Sequence, residues 1–125
     1  MGNRYVTFRD EMIEPETKPE IYYPTKFDPL AGFPEGRKER EMKVTWEEMD
    51  VAGLAWDERD YCAHKLIPLK KCIDQTFPLA HYNCRDLKHA YMTCEYEDWV
   101  MRMKEYEREK RLLQRMKRKI DADAK

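Results

Sequence analysis

Residues 62–94 read C-AHKLIPLKK-C-IDQTFPLAHYN-C-RDLKHAYMT-C, with cysteines at 62, 72, 84 and 94. Nine residues lie between Cys62 and Cys72, nine between Cys84 and Cys94, and eleven between the pairs. The apolar and cysteine positions 62, 66, 69 and 72/73 form a stripe at helical spacing. Cys84, Leu87, Tyr91 and Cys94 step by 3, 4 and 3, the seam of a two-helix contact. Ten residues of helix rise about 15 Å, whereas disulfide-bonded Cα atoms lie within about 7 Å. Cys62 therefore cannot bond Cys72, nor Cys84 bond Cys94. Cys62 and Cys94 share a midpoint at residue 78, and so do Cys72 and Cys84. An antiparallel hairpin turning at Pro78 sets Cys62 level with Cys94 and Cys72 level with Cys84. The crossed pairing misses by about 15 Å again. The predicted fold is all-α, a helical hairpin stapled by Cys62–Cys94 and Cys72–Cys84.

A hairpin of this size buries too little apolar area to fold on that alone, and two staples of about 3–4 kcal/mol each fill the gap. Other uses of the cysteines fit poorly. Zinc sites want C-x2-4-C or a nearby His pair, and redox pairs want C-x-x-C. His64, His81 and His89 read as polar helix-face residues. No metal, cofactor or catalytic residue is expected.

The flanks divide into further segments. Residues 1–44 hold five of the seven prolines, at 15, 19, 24, 29 and 34, too dense for regular structure. An extended arm that buries little against itself and wraps along a partner is expected. Residues 45–56 form a short helix and connection: Thr45 with Glu48 is a capping box, and Gly53 is a stop. The hairpin occupies 57–95, its first helix capped by Asp57, running to about Cys72 and kinked at Pro68. A helical pattern from Leu79 to Ile120 carries the second helix into a charged extension and tail over 96–125. Between residues 101 and 120 stand nine Lys/Arg and three Glu. Asp98 and Glu105 end the cysteine seam, and a second stripe containing Trp99, Met103, Tyr106 and Leu113 replaces it. With no partner helix in the chain, these four are the expected partner-binding residues.

Composition excludes several classes. Charged residues are 39% of the 125, mean hydropathy is −0.97, and 24 Lys/Arg against 25 Asp/Glu give a net charge of −1. No global field calls for a polyanionic partner. The basic stretch lacks the interleaved aromatics of a nucleic-acid surface. The longest apolar run, Val51–Trp56, is far short of the roughly 20 residues of a spanning helix. No secretory h-region follows Met1, and five carboxylates in the first twenty residues argue against an Arg-rich transit peptide. Stable disulfides need an oxidising compartment. Without a secretory signal, that points to the mitochondrial intermembrane space.

The twin C-x9-C hairpin resembles the CHCH (coiled-coil-helix–coiled-coil-helix) domain. Gly32-Phe33-Pro34-Glu35, then Arg37-Lys38-Glu39-Arg40-Glu41-Met42, Arg59-Asp60-Tyr61-Cys62-Ala63-His64, and the run from Glu97-Asp98-Trp99 through Arg111-Leu112-Leu113-Gln114-Arg115 narrow this. Together they resemble the beta subcomplex subunit 7 family of mitochondrial NADH:ubiquinone oxidoreductase, respiratory complex I, over roughly residues 30–115. The resemblance implies a non-catalytic accessory subunit among membrane-arm subunits. It would be peripheral on the intermembrane-space side of the inner membrane, without a transmembrane helix or cofactor. It also implies N-myristoylation, hence a lipid anchor, at Gly2, although Val6 stands where the usual signal has Ser or Thr. Gly36 and Pro68 depart from the family pattern without touching the cysteines. The competing reading is a CHCH-type copper chaperone or assembly factor, which needs spare thiols for Cu(I); two disulfides leave none.

Overall fold

Thr45 and Glu48 start a helix by capping each other. The Glu48 N–H donates to Thr45 Oγ1 (3.3 Å), and the Thr45 N–H donates to Glu48 Oε2 (2.9 Å). This is helix α1, Trp46–Val51, in a computed structural model that describes residues 12–20, 22–36 and 40–125. It ends as Gly53 predicts. Gly53 has φ +65°, its N–H donates to Asp50 O, and the Leu54 N–H reaches back to Met49 O (3.1 Å). That is a Schellman ending, which favours glycine because a Cβ is strained at positive φ. Its apolar members, Met49 and Leu54, are both buried.

Helix α2 spans Ala63–Thr76 with its N-cap at Cys62, five residues after the expected cap at Asp57, and it ends four residues beyond Cys72. Trp56–Glu58 instead form a 3-10 turn. The Asp60 carboxylate accepts the Cys62 N–H (2.8 Å), so Asp60, not Asp57, satisfies a donor at the helix entry. The helix continues through Pro68. At its end the Thr76 hydroxyl donates to the Cys72 carbonyl (2.7 Å). The turn at Phe77–Leu79 contains a cis Phe77–Pro78 bond. The expected long second helix is divided. A short α3, Ala80–Asn83, closes at Cys84, and α4 runs from Arg85 to Asp123. Cys84 sits at φ −103°, ψ 13°, off helical geometry where its sulfur joins Cys72.

The chain divides into two compact units: one is Lys38–Met101, and the other joins Met1–Arg37 to Arg102–Lys125. In the first, Val44, Met49, Leu54, Ala63, Leu66, Leu69 and Cys84 form the core, with Ile67, Cys72, Ala80 and Tyr91 packed against it. The stripe 62/66/69 is thus the buried face of α2. Leu87, expected in the seam, is 38% exposed. The core instead includes Val44, Met49 and Leu54 of the preceding segment, which sequence reading had outside the hairpin.

In the second unit the described part of the proline-rich arm contacts α4 of its own chain. The Arg108 guanidinium donates through Nη2 to the carbonyls of Asp28 (3.1 Å), Pro29 (3.2 Å) and Ala31 (3.0 Å), and lies 5.4 Å from the Phe33 ring centroid. Thr25 Oγ1 donates to Glu109 Oε2 (2.7 Å), Lys117 pairs with Glu16 (3.1 Å), and Phe27 lies beside Leu112, Arg115, Met116 and Lys119. Pro15–Thr17 form a 3-10 turn, but around Pro24 and Pro29 the backbone is in neither helix nor sheet, so one guanidinium can collect three of its carbonyls.

Candidate functional site: the stapled hairpin and its surface

Two disulfides join the hairpin, Cys62 to Cys94 and Cys72 to Cys84, each with Cα atoms 5.9 Å apart. No cysteine remains free. Cys62 and Cys84 are almost fully buried, at 1% and 2% exposure, so one sulfur of each bridge lies in the packed interior. Thr76 Oγ1 also contacts Cys84 Sγ (3.3 Å), tying the end of α2 to the inner staple.

Asp98, read from sequence as the point where the seam fails, pairs with Arg40, whose guanidinium stacks 4.0 Å over the Tyr61 ring. Both charged side chains are largely covered, at 20% and 11% exposure, which a charge tolerates only when paired. Sequence reasoning missed Arg40. An acid at a position due to be apolar was the available signal, and it asked for a cation.

Among the described residues, the titrating groups with displaced affinities all move away from neutrality. Burial, then the hydrogen bond to Glu95, pushes the Tyr91 hydroxyl above the usual phenol range. The hydrogen bond from Lys70, helped by the Ala55 N–H, holds Glu58 below the usual carboxylate range. The hydrogen bond to Glu16 raises Lys117. None of these is poised to exchange a proton near pH 7, which a general acid or base must do. Among the described residues no group of three or more His, Cys, Asp or Glu can hold a metal ion. No helix among them is long and apolar enough to cross a membrane.

The four residues expected at a partner interface all lie on α4. Trp99 is 45% exposed, with Tyr96 at 6.1 Å between ring centroids, while Met103, Tyr106 and Leu113 are half-buried. Gly2 lies outside the described residues. A second exposed aromatic pair, Trp46 and Trp56, has ring centroids 6.1 Å apart. Sequence reading passed over it, because nine residues and a turn separate the two tryptophans.

The comparisons agree on one family. The family model of the NADH-ubiquinone oxidoreductase B18 subunit (NDUFB7) matches residues 43–106. The NADH dehydrogenase (ubiquinone) 1 beta subcomplex subunit 7 of Caenorhabditis elegans is 49% identical over 119 residues, covering 95% of this chain and 97% of that protein. The protein of the same name from Bos taurus is 48% identical over 124 residues, covering 99% and 85%. That from Mus musculus is 47% identical over 116 residues, covering 93% and 80%. On the stapled hairpin and on these matches together, the chain belongs to the NADH-ubiquinone oxidoreductase B18 subunit family, that of beta subcomplex subunit 7.

Proposed function

We propose that this chain is a structural subunit on the intermembrane-space side of the membrane arm of complex I. Family membership makes it a non-catalytic accessory subunit of that complex, partnered by other complex I subunits and associated with the mitochondrial inner membrane. The side and the contacts are the proposal, and one observation carries it: every cysteine is consumed in a disulfide. Such bonds persist in an oxidising compartment, which supports the intermembrane-space side. The same observation disfavours a copper chaperone, which needs free thiolate. Trp99, half exposed on α4, with Met103, Tyr106 and Leu113 along the same helix, is the proposed contact with membrane-arm neighbours. A myristoyl group on Gly2 would add a weak membrane anchor, since a single acyl chain binds only marginally.

Replacing Trp99 by alanine tests the contact. A buried aromatic anchor contributes about 2 kcal/mol or more at an interface, while an exposed one is lost at almost no cost to folding. The Trp99→Ala chain should keep both disulfides, yet enter complex I less efficiently on native gels. NADH–quinone activity should fall only in proportion to assembled complex. A variant that assembles fully but turns over slowly refutes the structural reading. Protease protection that survives rupture of the outer membrane refutes the intermembrane-space side.

A further inference from the structure

Trp46 and Trp56 are 54% and 81% exposed, yet they are not loose. The Arg59 guanidinium lies 5.7 Å from the Trp46 ring centroid and 5.1 Å from that of Trp56. Its Nε–H donates to the Leu54 carbonyl (3.1 Å), its Nη1 pairs with Asp50 (2.5 Å), and the side chain is only 14% exposed. Met49 and Leu54, on the segment between the tryptophans, are anchored in the core. Two large aromatic faces are thus held in place while left open to solvent. Exposed aromatics fixed in advance lose little freedom on binding, and tryptophan is among the residues that dominate interfaces.

The charge around the pair selects its occupant. Residues 45–58 contain five carboxylates, Glu47, Glu48, Asp50, Asp57 and Glu58, and no Lys or Arg. Asp50 and Glu58 are paired with Arg59 and Lys70. Glu47 and Asp57, each next in sequence to one tryptophan, are exposed. Such a rim repels a phosphate-bearing surface and attracts Lys and Arg. We propose that the Trp46–Trp56 pair is a docking site for a basic amphipathic segment of a partner protein. Apolar side chains of the segment cover the indoles, and its cations meet Glu47 and Asp57 or stack on the rings. The proposal rests on the reading of the chain as a structural subunit with protein neighbours.

The test uses the full oxidised chain carrying Trp99→Phe, so that indole fluorescence reports only Trp46 and Trp56. The probes are a helical Leu/Lys peptide, its Leu/Glu counterpart, and vesicles of neutral or anionic phospholipid. The Leu/Lys peptide should produce a saturable blue shift. Followed by anisotropy of a labelled peptide, its Kd should rise at least tenfold on Trp46→Ala with Trp56→Ala, and again on Glu47→Lys with Asp57→Lys. Both variants should keep the two disulfides and the helical circular dichroism. An equal response to the Leu/Glu peptide or to anionic vesicles, self-association without peptide, or a Kd unchanged by either variant overturns the proposal. Co-migration of the wild-type chain with NADH–quinone activity on a native gel tests the subunit reading separately.

Discussion

Replacing Cys62 and Cys94 together by serine removes the outer staple without leaving an odd thiol. The bridge spans 32 residues, but the inner bridge already short-circuits 12 of them, leaving an effective loop of 20. Loop-closure entropy then assigns the outer bridge about 3.3 kcal/mol, against about 3.7 kcal/mol if the inner bridge were absent. A unit of this size has a total stability of only several kcal/mol, so the substitution should remove most of it. With a urea slope of about 1 kcal/mol/M for a small domain, the midpoint followed by circular dichroism at 222 nm should fall by about 3 M. Replacing Cys72 and Cys84 instead should cost somewhat less by loop length alone, since that bridge closes the smaller ring. A Cys62→Ser/Cys94→Ser protein unfolding within about 0.5 M of wild type would refute the argument, because the bridge would then be constraining nothing.

The Glu58–Lys70 pair predicts an acid limb of stability. Glu58 is held below its usual range in the folded chain, so its contribution is present above the unfolded glutamate value of about 4.3. That contribution is lost as pH falls below this through the folded value. Exposure keeps it under about 1 kcal/mol. Glu58→Gln should destabilise the chain at pH 7 in urea titrations, and its difference from wild type should shrink as pH falls below the unfolded glutamate value of about 4.3. A midpoint difference that does not shrink on acidification would refute the assignment. Arg108→Ala removes the donor shared by three arm carbonyls. Trypsin should then cut after Lys26 several-fold faster while the hairpin's far-ultraviolet signal persists; an unchanged rate would mean the clasp does not order the arm.

The disulfide register was legible because helix geometry is one-dimensional: rise and rotation per residue turn a spacing into a distance. Thr45, Glu48 and Gly53 were legible for the same reason, since capping is settled within a few residues. The start of α2 was misjudged because Asp57 and Asp60 offer the same chemistry three residues apart, and only the 3-10 turn at Trp56–Glu58 decides between them. Arg108 left no trace, because its acceptors are main-chain carbonyls 77 to 80 positions away. Any residue type supplies a carbonyl. The arm's proline density was read as excluding regular structure, yet Pro15–Thr17 form a 3-10 turn, and it said nothing about which surface would receive the arm.

The concentric arrangement of the bridges gives the chain a way to expose its own folding errors. Suppose Cys62 is first oxidised to Cys84 rather than Cys94. In the register that bond imposes, Cys72 and Cys94 are then left about 30 Å apart in height if both helices form. The second bond cannot close without unwinding a helix, so the mistake persists as a species with two reduced thiols. Those thiols can attack the wrong bond, since exchange proceeds through a free thiolate. In the correct isomer no thiol remains, and there is nothing left to attack. Completion and correctness become the same chemical event, and proofreading is built into the spacing.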